Sequence, residues 1–218
     1  MTACWNSPSD FFLSKSSWLS YLFCPYEFYL RYIKGVEIEL PAATWYGLAY
    51  HDIMDRVIDI IRYEYDTTGY EVLDEWIFNT HLWESNSPEP IKTYTEIKID
   101  DYVNKLIGKI DRIDIYKDGT LRILEYKTNT KYKFPKNELL FYYILYFGDT
   151  EVRDNVVLAC YNPRHNIYET MKPTKKLLNN VWKSINTVKN KISEGDFNPN
   201  TYRCKHCVYS GVCDYGMP

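Results

Sequence analysis

No apolar run in the 218 residues reaches the roughly 18 that a membrane-spanning helix needs. The first residues, Met1-Thr2-Ala3-Cys4-Trp5, lack a basic region followed by an apolar stretch, so a secretory leader is not expected. An intracellular, cytoplasmic setting is therefore the expectation, and there cysteines hold metal more often than they form disulfides. Positive charge is also scarce: 26 Lys and Arg against 29 Asp and Glu leave a net charge of −3. That excludes a nucleic-acid clamp working by bulk charge, but not an enzyme with a local basic track. One such run joins Lys172, Lys175, Lys176, Lys183, Lys189, Lys191, Arg203 and Lys205, with only Glu194 and Asp196 among them. There is no internal repeat, low-complexity tract, Pro/Gly/Ser linker or helicase motif. A single domain over 1–218 is the natural division.

What is present fits a globular chain: 45% hydrophobic and 25% charged residues. Twenty-two tyrosines offer core packing and, where exposed, stacking surfaces. Residues 1–90 read as mostly helical. A short helix through Phe23 can be capped by Ser16 or Ser17, and Pro25 starts another that runs to about Ile33. Leu48, Ile53, Met54, Val57, Ile58 and Ile61 then recur at helical spacing over Trp45–Tyr65, and a weaker helix covers 70–83. From 91 to 171 the period changes to two. Strands are expected at Tyr94–Ile99, Val103–Tyr116 and Thr120–Thr128, with turns at Asp100-Asp101 and Asp118-Gly119. A helix over Lys136–Phe147 and a strand over Asn155–Tyr161 follow. Residues 172–218 hold a long helix, Thr174–Glu194, and a cysteine-rich segment. This order implies an α/β fold with helices flanking a mixed sheet.

The register of the central hairpin decides which side chains meet. A two-residue Asp-Gly loop would put Asp111 and Glu125 on opposite faces. A three-residue loop, Lys117-Asp118-Gly119 with Gly119 left-handed, pairs positions whose numbers sum to 236 and sets Asp111 across from Glu125. Lys127 then projects from the same face. This alignment also places Ile113 opposite Ile123 and Ile115 opposite Leu121, with Asp114 facing Arg122 on the other side. Two carboxylates so close repel unless a cation lies between them, and oxygen ligands suit Mg²⁺ or Mn²⁺. Such an ion can polarise a phosphoryl oxygen, while Lys127 stabilises negative charge on phosphorus. Asp111, Glu125 and Lys127 are the candidate catalytic residues.

Cys204, Cys207 and Cys213 read C-x2-C-x5-C, a strong metal-site signal, and Cys24 is the remote fourth candidate. Spacing alone does not choose between zinc and an iron–sulfur cluster, since four thiolates satisfy either. Cys160 reads as an inert core thiol, and Cys4 as exposed and unpaired.

Gly108-Lys109-Ile110-Asp111 with Glu125-Tyr126-Lys127 resembles the PD-(D/E)xK nuclease superfamily, and the flanking cysteines resemble its RecB-like branch with an iron–sulfur cluster. The small CRISPR-associated RecB-like exonucleases are similar over nearly the whole chain, including Cys24-Pro25-Tyr26-Glu27-Phe28-Tyr29-Leu30. The resemblance implies a restriction-endonuclease-like core closed by a four-cysteine [4Fe–4S] cluster on Cys24, Cys204, Cys207 and Cys213. Zinc and [2Fe–2S] are the lesser alternatives. Through Gly47-x3-His51 it implies His51 as a metal ligand beside Asp111, Glu125 and the backbone carbonyl of Tyr126. Glu96 falls where the family often has a first-strand glutamate, although a surface role suits it better. Glu138 and Tyr142 are implied as substrate-binding, with Glu138 standing where the family has glutamine. Glutamate cannot donate as that amide does. The implied activity is Mg- or Mn-dependent cleavage of single-stranded DNA or DNA ends in CRISPR spacer acquisition, exonucleolytic first, with endonucleolytic cleavage as the additional mode. The implied alternatives are a DNA-end adapter for a CRISPR integrase, or a RecB-like repair or mobile-element nuclease.

Overall fold

A computed structural model describes residues 11–39 and 42–216 of the chain. Cys4, read from the sequence as exposed and unpaired, lies outside them. The chain forms two compact units, neither continuous in sequence: Met1–Glu39 with Asp100–Gly108 and Asn179–Pro218, and Leu40–Ile99 with Lys109–Leu178.

The first unit begins with a two-residue strand, β1 (Leu13–Ser14), and helix α1 (Lys15–Phe23). Sequence reading puts the cap at Ser16 or Ser17, but Ser14 is the cap. Its Oγ accepts from the Ser17 N–H at 3.0 Å, while the Ser14 N–H donates to Ser17 Oγ at 2.8 Å. Only a pair three residues apart satisfies two orphan amides reciprocally, so the helix starts earlier than expected. Pro25 opens α2 (Pro25–Phe28), and a π-helical turn carries the chain through Tyr29–Ile33. Cys24 lies at the break in an extended conformation, φ −157° and ψ 115°. Within this unit Trp18 Nε1 donates to Ser184 Oγ at 3.3 Å, and the Tyr21 hydroxyl donates to the Asp196 carbonyl.

The second unit carries α3 (Ala42–Val57), α4 (Glu71–Ser85), β4 (Leu121–Tyr126), α5 (Lys136–Phe147), β5 (Val156–Asn162) and β6 (Ile167–Met171). Strands β2 (Lys92–Asp101) and β3 (Leu106–Ile115) and helix α6 (Lys175–Ser193) run through both units. Strands pair in the order β1-β3-β4-β5-β6, with β2 also on β3. β4 and β5 are parallel, whereas β3–β4 and β5–β6 are antiparallel. The sheet is therefore mixed, as expected.

Three departures have local causes. α3 gives way to turns after Val57, although Ile58 and Ile61 stay buried. The β-branched cluster Val57, Ile58, Ile60 and Ile61 crowds a helix while preserving its apolar face. The β2–β3 turn falls at 102–105 rather than at Asp100-Asp101, with Lys105 at φ 50°. Strand β6 was not anticipated because it is short and its middle residues are exposed.

On one face of the sheet Leu124, Tyr126, Ala159 and Tyr161 pack with Tyr50 and Met54 of α3 and Trp76 of α4. Helix α5 packs on β4 and β5. Every residue of α5 from Leu139 to Leu145 is buried, so it behaves as a core helix rather than an amphipathic surface one.

Candidate active site

The hairpin between β3 and β4 has the expected register: Arg112 pairs with Leu124, Ile113 with Ile123, Asp114 with Arg122 and Ile115 with Leu121. Gly119 is left-handed, φ 82°, and its N–H donates to the Tyr116 carbonyl at 3.0 Å. One step further along this register sets Asp111 across from Glu125. Both are nearly inaccessible, 7% and 2% exposed. Asp111 Oδ2 accepts from the Tyr126 N–H at 2.9 Å, which fixes one carboxylate oxygen to the neighbouring strand.

His51 reaches this carboxylate from α3. Its Nδ1 lies 3.6 Å from Asp111 Oδ1 and 3.8 Å from Glu96 Oε1, too long for hydrogen bonds but close enough for strong charge interaction. Burial works against a charge on His51, yet Asp111 and Glu96 outweigh it and hold its pKa above the ordinary value. His51, Glu96 and Asp111 offer ligand atoms that all lie within 4.8 Å of one another.

Glu96 thus sits inside the site and not at a strand-edge surface, as sequence reading would have it. Before it in β2, alternation half-buries Thr93 and Thr95 and exposes Lys92 and Tyr94; Glu96 then takes φ 48° and is half-buried too. A left-handed residue breaks the period of two on which a sequence assignment rests. Lys109, two residues before Asp111, forms an ion pair with Glu96. Burial would raise the Glu96 pKa, but His51 and Lys109 lower it more, and the carboxyl lies below its usual range.

Glu125 is not part of the three-residue group. Its Oε1 lies 2.8 Å from Lys127 Nζ, and it accepts from the Tyr142 hydroxyl. Tyr142 is 2% exposed, so its contact is with this carboxylate, inside the protein. Burial first, then the charges of Glu125 and Asp111, push the Tyr142 pKa far up and keep it a donor. Glu138 accepts from Lys127 Nζ at 2.6 Å. Lys127 is therefore held between two carboxylates, and Glu138, lacking the amide's donors, serves as an acceptor. Tyr126 turns its ring to the far face, where its hydroxyl accepts from Arg112 Nη1 at 3.2 Å. Cys160 is fully buried, and burial pushes its thiol up to about 12, consistent with an inert residue.

Gly47 explains how α3 approaches the strand. A Cβ there would lie 2.9 Å from Thr128 Oγ1, so any larger residue at 47 requires the threonine hydroxyl or the helix to shift.

The cysteines lie in the first unit. Cys24, Cys204, Cys207 and Cys213 are free thiols that line one concavity. Their segments are tied by the Tyr26 hydroxyl, which donates to Asp214 Oδ2 at 3.0 Å. No three of these sulfurs fall within the 4.8 Å that marks a single-ion group among the described residues. Much of the C-terminal basic run is engaged locally. Lys175 pairs with Glu151, Lys191 with Asp196 at 3.0 Å, and Lys189 donates to the Asn104 carbonyl at 2.6 Å.

The profile of the PD-(D/E)XK nuclease superfamily matches residues 13–91 and 70–214. The chain belongs to this superfamily. It is accordingly a nuclease hydrolase of a superfamily that uses divalent metals, and His51, Glu96 and Asp111 form a group that could hold such an ion. Comparison with curated proteins finds no match. Among solved structures, a candidate exonuclease from Eubacterium rectale shares the fold, with a TM-score of 0.57 and 12% identity over 94% of this chain and 86% of that one. SSO0001 aligns over 94% of this chain and 87% of its own, with 15% identity and a TM-score of 0.46. Among the described residues no helix is long and apolar enough to cross a membrane.

Proposed function

We propose that the protein is a Mn²⁺- or Mg²⁺-dependent deoxyribonuclease acting on single-stranded DNA and DNA ends. The observation that carries this reading is the convergence of His51, Glu96 and Asp111 within 4.8 Å, in a chain of the PD-(D/E)XK superfamily. One imidazole and two carboxylates suit a hard divalent cation, and Asp111 is already oriented by the Tyr126 N–H. A cation held there supplies Lewis-acid polarisation of a phosphoryl oxygen. Lys127, aimed by Glu125 and Glu138, brings an ammonium to negative charge developing on the phosphate. Glu125 completes the acidic pair and is itself positioned by Tyr142.

The test uses end-labelled single- and double-stranded DNA with Mn²⁺, Mg²⁺ or chelator. Asp111→Ala, Glu125→Ala and Lys127→Ala should each abolish metal-supported degradation while leaving a cooperative unfolding transition. Full activity in all three variants excludes this site. Trimming of captured DNA ends in CRISPR adaptation rests on the sequence resemblance alone, and adding an integrase to the same assay tests it.

For the cysteines the proposal is a [4Fe–4S] cluster. Four free thiols on one concavity, together with the sequence resemblance, support a cluster, although four thiolates also satisfy zinc. Joining Cys24 to the 204–213 segment would close a long loop and so stabilise the first unit.

A further inference from the structure

We infer that the loop from Thr128 to Lys136 is the track that holds the phosphodiester backbone of the substrate strand. This rests on the nuclease reading above and names the surface that feeds its site. The chain carries a net charge of −3, yet residues 127–136 contain Lys127, Lys131, Lys133 and Lys136 and no acidic residue. Lys131, Lys133 and Lys136 are all exposed, and among the described residues none is engaged in an ion pair.

Both ends of the loop meet at the active site. It leaves from Lys127 and returns through the first turn of α5 to Glu138, whose carboxylate accepts from Lys127 Nζ at 2.6 Å. Lys131 is four residues from Lys127, so their Cα atoms are at most about 14 Å apart. Lys136 is only two residues from Glu138. Cations within this reach of Lys127 can hold the phosphates next to the one to be cut.

The loop is also fixed in place, with its lysines left outward. Thr130 Oγ1 accepts from Arg164 Nη1 at 3.0 Å, and the Thr130 carbonyl lies 2.8 Å from His165 Nε2. Asn162 Nδ2 donates to the Asn129 carbonyl at 3.3 Å, and the Tyr132 hydroxyl donates to Glu169 Oε2 at 2.7 Å. Residues 129, 130 and 132 are anchored to the β5–β6 hairpin, while 131 and 133 alternate with them and face solvent. An anchored row of ammonium groups loses little freedom on binding, which is the requirement for a polyanion track. Tyr132 and Phe134, which alternate with the lysines, are half-buried.

The experiment measures binding of a fluorescent single-stranded oligonucleotide in chelator, so that no cleavage occurs, over a series of salt concentrations. The test variant is Lys131→Gln/Lys133→Gln/Lys136→Gln. The matched control is Lys34→Gln/Lys92→Gln/Lys117→Gln, which removes equal charge from exposed positions outside both basic runs. Each lost phosphate contact lowers the log–log salt slope by about 0.7 on single strands, so the test variant should lose about 2 and bind roughly 10²-fold more weakly at 0.1 M salt. The control should keep slope and affinity. An unchanged slope in the test variant, or an equal loss in the control, overturns the inference. A wild type that binds with this lysine-dependent slope but never cleaves sinks the nuclease reading and supports the track.

Discussion

Asp114→Asn should destabilise the protein strongly at neutral pH and much less in acid. Asp114 is wholly inaccessible, between Arg112 and Arg122, which are 2% and 4% exposed. Its Oδ1 accepts from Arg112 Nε at 2.8 Å and from Thr93 Oγ1 at 2.7 Å, and its Oδ2 accepts from Arg122 Nε at 2.9 Å. Asparagine keeps the shape but leaves two buried guanidinium groups facing a neutral side chain, with Glu84 the remaining buried acid on Arg112. Removing one partner of such a buried set costs about 3–5 kcal/mol. For a chain of this length that lowers Tm by roughly 6–20 °C. Burial raises the Asp114 pKa, but Arg112 and Arg122 lower it more, so the folded value lies below the unfolded one, which is about 3.9. The charge contribution is therefore complete above about pH 4 and is lost as the pH falls through the folded value. Urea unfolding followed by tryptophan fluorescence at pH 7 and at pH 3 reads this directly. A difference between wild type and variant below about 1 kcal/mol at pH 7, or one that does not shrink in acid, refutes the argument.

Three further outcomes follow from the site and the cysteines. Gly47→Ala puts a Cβ 2.9 Å from Thr128 Oγ1, a contact relieved by a shift smaller than the 1 Å that costs about 10²-fold, so turnover should fall by less than about 10²-fold in initial rates; Gly47→Ala/Thr128→Ala should recover it, and no loss in the single variant refutes the close-packing account. Tyr142→Phe removes the donor to Glu125 and should lower turnover about 10- to 100-fold with little change in melting, as measured by initial rates and calorimetry. The protein purified without oxygen should be brown, with Cys24→Ser pale and less stable. One bound zinc in colourless wild type, seen by elemental analysis, overturns the cluster proposal.

Much of the hairpin was legible because its determinants are local. Gly119 selects the loop, the loop selects the register, and a strand's period of two then dictates which residues share a face. The same applies to α5, whose bounds match the expected Lys136–Phe147, and to Pro25 at the start of its helix. Glu96 is read as a surface residue because a charged strand residue usually is one, and its left-handed backbone, φ 48°, has no signal in the sequence. The lysine loop, by contrast, stood in plain view as a charge run. What gives it meaning is the Lys127–Glu138 contact that brings its two ends together.

The sequence by itself determined the acidic pair, the lysine beside it and the mixed α/β order, since these depend on residue type and on neighbours a few positions away. Tertiary structure alone decided that Glu96 joins His51 and Asp111, that Glu84 of α4 reaches the buried Arg112, and that Gly47 lies against Thr128. Each of those facts depends on the distance between segments far apart in the chain. Side-chain period carries no information about that distance.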